Sequence, residues 1–164
     1  MSSNYTVAAI DCGTNSIRLL IASAGPDGRL VEQARDLELV RLGQGVDATG
    51  SFHPDALERT FSACRTFAKT ISDHHCDQVR FVSTSAARDV SNRDDFFTGV
   101  RDALDVDAEI IDGTEEASLS FAGAMSGVQV TDEPVLVIDC GGGSTELVLG
   151  YGTTKIGRAS CRER

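Results

Sequence analysis

Tryptophan is absent from the 164 residues, proline occurs three times, and aromatic residues make up 5% of the chain. No apolar run approaches the roughly 20 residues of a membrane-spanning helix. The opening Met1–Tyr5 segment lacks the basic and apolar regions of a leader. These absences predict a cytoplasmic protein with no membrane partner. Positive charge is scarce too: 15 Lys and Arg stand against 25 Asp and Glu, for a formal net charge of −10. A protein that grips nucleic acid through its phosphates shows the opposite balance, so nucleic acid is excluded as a partner. The five cysteines are odd in number and widely spaced, with no CxxC pair. That argues against a disulfide framework or a zinc site. The nearest metal-like cluster, His74-His75-Cys76, reads as a polar helix end, because a structural zinc site needs about four ligands.

What is present is a single-domain length of chain with 41% apolar residues, enough for a core. Val7–Ile10 and Ile17–Ile21 flank Asp11-Cys-Gly-Thr-Asn-Ser16, which predicts two antiparallel strands about a polar turn. A third strand is expected over Leu37–Leu42, after a Gly25–Gly28 turn. From Pro54 onward, Leu57, Phe61, Cys64, Phe67, Ala68 and Ile71 recur at helical spacing. Val79–Val82 reads as a strand, Thr84–Val90 as a short helix, and Asn92 as the cap of a helix burying Phe96, Val100 and Leu104. A strand over Ala108–Ile111 precedes a helix from Gly113 to about Gly127, with Glu115 and Glu116 in its first turn, where the helix dipole favours acids. Val135–Ile138 and Thr145–Leu149 are two further strands about a glycine triplet. Three strands followed by alternation is a mixed-sheet α/β pattern.

The chain repeats itself. A shift of 128 residues lays Val7 on Val135, Ile10 on Ile138, Asp11 on Asp139, Cys12 on Cys140, Gly13 on Gly141, Ser16 on Ser144 and Leu19 on Leu147. Each turn offers small residues whose backbone N–H groups can surround an anion, with a hydroxyl as a further donor. In the second, Asp139 and Glu146 bracket the glycines and could hold a hydrated Mg²⁺ against a phosphate. The alternative is a tight hairpin in which glycine supplies only positive φ.

These segments resemble the exopolyphosphatase and guanosine pentaphosphate phosphohydrolase family, Ppx/GppA, of the actin-like ATPase fold (the ribonuclease H-like superfamily of sugar kinases, heat-shock chaperones and actin). The resemblance is carried by AAIDCGTNSIRLLI (Ala8–Ile21), STSAARDVSN (Ser83–Asn92), IDGTEEASLSFAGA (Ile111–Ala124) and VLVIDCGGGSTELVLG (Val135–Gly150), in family order, and the actinobacterial branch is the most similar. It implies two lobes in a protein of about twice this length, with phosphate held between them. Residues 1–126 would form the first lobe and 127–154 the start of a truncated second one, leaving the 135–150 hairpin without most of its sheet. It also implies that Glu116 is the general base that activates water, although the residues alone favour reading Glu115 and Glu116 as ordinary first-turn acids. Arg88 matches the family's cleft arginine, against the alternative of a solvated helix residue. Asp139 and Glu146 match the acids that organise Mg²⁺. Gly141, Gly142, Gly143, Ser144 and Thr145 match the phosphate contacts, and Asp11, Gly13, Thr14, Asn15 and Ser16 the first phosphate loop. Arg18 is left as a strand surface residue. One departure is Ser118, where many family members carry Arg.

The implied activity is Mg²⁺-dependent hydrolysis of terminal phosphate from inorganic polyphosphate. The alternatives are guanosine pentaphosphate hydrolysis, an ATPase or kinase of the same fold, or a non-catalytic phosphate or nucleotide binder. Family membership leaves room for a homodimer of the full-length protein, and residues 1–164 alone are expected to be inactive. The last ten residues, Lys155–Arg164, carry four cations and one Glu, a net +3 that leaves −13 on residues 1–154. They resemble translated sequencing adapter and stand apart from the predicted fold, with the natural protein expected to continue beyond about Thr154.

Overall fold

The computed structural model describes residues 5–26, 29–88, 90–128 and 132–162. It divides into two compact units, Met1–Ile110 and Ile111–Arg164. The helix over 113–126 buries its apolar residues against the strands of the second unit.

The first unit is a five-stranded sheet in the order β3-β2-β1-β4-β5. Its strands are β1 (Thr6–Cys12), β2 (Ser16–Ala24), β3 (Leu30–Leu39), β4 (Gln78–Ser83) and β5 (Ala108–Ile110). Strands β1, β2 and β3 pair antiparallel, whereas β4 and β5 lie parallel to β1. The one-turn helix α1 (Val46–Thr49) precedes α2 (Pro54–Asp73), and α3 (Arg93–Leu104) follows a 3₁₀ turn at Ser85–Ala87. The helical spacing from Pro54 is realised: α2 buries Leu57, Ala63, Cys64 and Phe67, while α3 buries Phe96 and Val100. Both pack in one cluster with Ile10, Ile17, Leu19, Ile21 and Phe81 of the sheet. Phe96 packs at a tilt against Phe52 and edge-on against Phe81, with ring centroids 5.5 and 6.0 Å apart.

Three local expectations need correction. Strand β3 runs over Leu30–Leu39 rather than Leu37–Leu42. Almost all of it is exposed, and an edge strand facing water on both sides carries no apolar alternation for a reader to find. Val40 and Leu42 lie beyond it as buried core residues. Asn92 does stand at the N-cap of α3, but its side chain makes no cap bond. It bridges to Phe52 instead, accepting from the backbone N–H at 2.8 Å and donating to the carbonyl at 3.2 Å. The 84–90 helix contracts to three residues. The expected Gly25–Gly28 turn lies partly outside the described residues, and Asp89 of the second family-like segment lies outside them.

The second unit consists of α4 (Gly113–Ser126) on a three-stranded antiparallel sheet of β6 (Pro134–Cys140), β7 (Ser144–Tyr151) and β8 (Thr154–Arg162). Asp112 caps α4 by accepting from the N–H groups of Thr114 and Glu115 at 2.7 and 2.8 Å. Ala117, Phe121 and Met125 of α4 bury against Val148, with Val135 and Val137 beside them. The 135–150 hairpin therefore has a third strand and a helix, and is not the isolated pair expected from the sequence. The segment set apart by composition pairs along β7 as β8. Scattered cations do not oppose pairing at a sheet edge, where they are commonly found. On the face away from α4, Leu136, Ile138 and Leu149 are exposed.

Candidate functional site

The two hairpins are geometric copies. In the first, Asp11 stands opposite Arg18 and Cys12 opposite Ile17. In the second, Asp139 stands opposite Glu146 and Cys140 opposite Thr145, the same register 128 residues on. Both turns close with the same bond: the Gly13 N–H donates to the Ser16 carbonyl, and the Gly141 N–H to the Ser144 carbonyl, each at 2.9 Å. Positive φ is confined, among the described glycines, to Gly45, Gly50 and Gly152. The loop glycines are thus not there to supply left-handed backbone. At Gly141 a Cβ would lie 3.0 Å from the Ser144 carbonyl oxygen, so close approach is the constraint.

Behind the first loop, the chain leaving β3 ties down its carbonyls. Val40 and Arg41 donate to the Asn15 oxygen at 3.1 and 2.9 Å, and Gly43 to the Thr14 oxygen at 2.9 Å. Arg41 adopts φ 49° to make this bend. The N–H groups of Thr14 and Asn15 find no protein acceptor among the described residues, and those of Gly142 and Gly143, their equivalents, find none either. Each loop therefore presents two consecutive backbone donors, and in the first loop the Thr14 and Asn15 carbonyls are already engaged, an arrangement suited to phosphate oxygens.

The first loop leaves the carboxyl end of β1, beside the carboxyl end of the parallel β4, where ligands collect on sheets of this kind. The Thr84 N–H and the Ser83 hydroxyl both donate to the Cys12 carbonyl, at 3.3 and 3.1 Å. Thr14 Oγ1 and Ser85 Oγ lie 3.5 Å apart. Arg88, half-buried, donates its N–H to the Ser85 carbonyl at 3.4 Å and closes the 3₁₀ turn. The structure thus brings the Arg88 segment next to Asp11–Ser16 within the first unit. In the second unit it brings Glu116, on the first turn of α4, into the same element that contacts Asp139.

Charge separates the copies. Asp11 pairs with Arg18 at 3.7 Å, so that hairpin carries its own cation, on a surface side chain. At the equivalent place the second hairpin carries Glu146, only 2% exposed, with the Ser160 hydroxyl 3.3 Å from Oε1. Two carboxylates directly opposite on one sheet face are unfavourable neighbours that a bound cation could offset. Asp139 and Glu146 fit a hydrated Mg²⁺, which uses one or two protein carboxylates plus substrate phosphate. Among the described residues no group of three or more His, Cys, Asp or Glu is gathered, so a closed multi-ligand cage is not formed there. His74, of the metal-like triplet, caps α2 with Nδ1 2.8 Å from the Thr70 carbonyl oxygen.

Sequence reasoning missed Ser120, whose hydroxyl donates to Asp139 Oδ2 at 2.6 Å. Its signal was available: it lies four residues after Glu116, on the same face of α4. Ser118, the departure from the family pattern, donates to the Thr114 carbonyl at 2.8 Å.

Residues 22–162 match the Ppx/GppA phosphatase family. The chain is 53% identical over 152 residues to Exopolyphosphatase 2 of Mycobacterium tuberculosis, covering 88% of this chain and 48% of that protein. It is 36% identical over 154 residues to the bifunctional 3-dehydroquinate synthase/phosphatase of Fusobacterium nucleatum, covering 90% of this chain and 23% of that one. The chain thus spans about half the length of the mycobacterial relative. Among solved structures, an exopolyphosphatase from Cytophaga hutchinsonii superposes with a TM-score of 0.89 at 29% identity, covering 96% of this chain and 50% of the other. The Aquifex aeolicus Ppx/GppA family member gives 0.84 at 29% identity, covering 98% and 52%. The ethanolamine utilization protein EutJ of Carboxydothermus hydrogenoformans, at 13% identity and a TM-score of 0.54 over 96% of this chain and 52% of that one, shares the fold alone. The fold is the α/β actin-like ATPase fold that the sequence implied.

Proposed function

Because the chain belongs to the Ppx/GppA phosphatase family, we propose that it is part of an exopolyphosphatase, which removes terminal phosphate from inorganic polyphosphate by in-line attack of water. The observation that carries this reading is the pair of hairpins in one register, each with two backbone N–H groups unclaimed among the described residues. The 53% identity to a mycobacterial exopolyphosphatase supports it.

Phosphoryl transfer asks a protein mainly to position groups and neutralise charge. In the first unit Thr14 and Asn15 would donate N–H groups to phosphate oxygens with Ser16 adding a hydroxyl, and in the second Gly142 and Gly143 would do the same with Ser144 and Thr145. Arg88, beside the first loop, would offset oxygen charge. Glu116 would take the proton of the attacking water, held in place by the Asp112 cap and the buried face of α4. Asp139 and Glu146 would hold Mg²⁺, which when bound neutralises phosphate charge and makes a polyanion acceptable to a chain of net charge −10. Guanosine pentaphosphate would meet the same groups with a different leaving group.

Phosphate release from polyphosphate, guanosine pentaphosphate and ATP by the full-length protein tests this. Polyphosphate is expected to be consumed in the presence of Mg²⁺, and Glu116→Gln is expected to lower kcat by about 10²–10⁴ with little change in KM. Turnover of ATP with none of polyphosphate would overturn the reading. Near-normal turnover by Glu116→Gln would return Glu116 to a helix-end role.

A further inference from the structure

We propose that Ser120 is the positioning residue for Asp139, fixing its carboxylate in the orientation that receives a divalent cation. The inference rests on the phosphohydrolase reading, but concerns a side chain to which that reading gives no part. The bond from Ser120 Oγ to Asp139 Oδ2 is 2.6 Å, short as expected when a hydroxyl donates to a carboxylate. It engages one carboxylate oxygen; Oδ1 has no protein partner among the described residues. One oxygen is thus pinned and the other left for an outside ligand, the usual division of labour between a metal-binding carboxylate and its supporting hydrogen bond.

The hydroxyl can do this because α4 cannot turn. Ala117, Phe121 and Met125 are buried on one side, and the Asp112 cap fixes the first turn. Ser120 is itself half-buried beside Phe121, on a helix already secured by apolar packing. Its polar bond is therefore not needed merely to hold the helix to the sheet. Ser120 also follows Glu116 by four residues, so the two lie on one face about one turn apart. One rigid helix would then set the position of the proposed base and the direction of the proposed metal-binding acid together.

The test compares wild type with Ser120→Ala and with the equal-shaped pair Ser120→Thr and Ser120→Val, using Ser118→Ala as an exposed control. Mn²⁺ binding to the purified protein is read by calorimetry without substrate. Thermal melting of each variant and the Mg²⁺ concentration for half-maximal phosphate release by the full-length protein accompany it. Ser120→Ala is expected to weaken Mn²⁺ binding about tenfold or more and to raise the Mg²⁺ requirement equally, with kcat at saturating Mg²⁺ little changed. Thr should restore binding and Val should not, and Ser118→Ala should match wild type. If Ser120→Ala fails to fold, the Thr and Val pair still isolates the hydroxyl. Equal Mn²⁺ binding with and without the hydroxyl would overturn the proposal, as would a wild type that binds no Mn²⁺. If the hydroxyl controls Mn²⁺ binding but the full-length protein releases no phosphate from polyphosphate, the positioning role stands and the proposed function fails.

Discussion

Burial divides the five cysteines by reactivity. Cys12 and Cys64 are fully enclosed, and burial pushes both thiols up, that of Cys64 to about 12. Cys76 is raised by partial burial and by the neighbouring Asp77 carboxylate, whereas Cys140 and Cys161 are exposed. The thiolate is the reactive form, so at pH 8 the two buried residues stay protonated and unreachable. Alkylation with mass-spectrometric readout should modify Cys140 and Cys161 first, Cys76 later, and Cys12 and Cys64 only once the chain unfolds. Early labelling of Cys12 would show that β1 opens readily. Cys12 and Cys140 occupy equivalent places in the repeat, so sequence alone gives them one character, and only the covering of α2 and α3 over the first sheet tells them apart. The same holds for Asp11 and Asp139: the repeat placed both correctly, but the Arg18 partner of one and the Ser120 partner of the other arise from contacts across strand or helix, which linear spacing does not display.

Elements were legible where their pattern follows from burial on one face. Strands β1 and β2, helices α2, α3 and α4, and the pair β6 and β7 all stood out, because each sets apolar residues at a fixed period against a core. Strand β3 was misplaced because almost all of it is exposed and shows no buried alternation, whereas β8 was unforeseen because its cationic composition set it apart from the strands before it. Within the second unit, packing is tight where α4 crosses the sheet. A Cβ at Gly150 would strike the Phe121 ring and lie 2.5 Å from the Thr154 carbonyl oxygen. Gly150→Ala should therefore destabilise this unit by about 1–3 kcal/mol, the usual range for overpacking. Chemical denaturation followed by hydrogen exchange should locate the loss in residues 111–162. An unchanged midpoint would mean that Phe121 can shift without loss.

For the molecule as a whole, the 164-residue chain is expected to show no more than trace release of phosphate from polyphosphate. It spans about half the length of its mycobacterial relative. Catalysis is sensitive to placement, with an error of about 1 Å capable of removing about 10² in rate. A rate comparable to that of a full-length homologue, measured on the purified chain, would show that these residues suffice. The repeated hairpin carries a further consequence for how such a chain can vary. The residues at the two loop tips already differ, Thr14 and Asn15 in one and Gly142 and Gly143 in the other, yet the strands on either side keep a single register. Side chains alternate between faces at every residue, so inserting or deleting one residue would slip that register and exchange the faces of a strand. In the second hairpin a slip of β7 would swing Glu146 onto the face of Leu136 and Ile138 and turn Leu147 toward α4. The two tip positions are therefore open to drift in this architecture, whereas loop length is not.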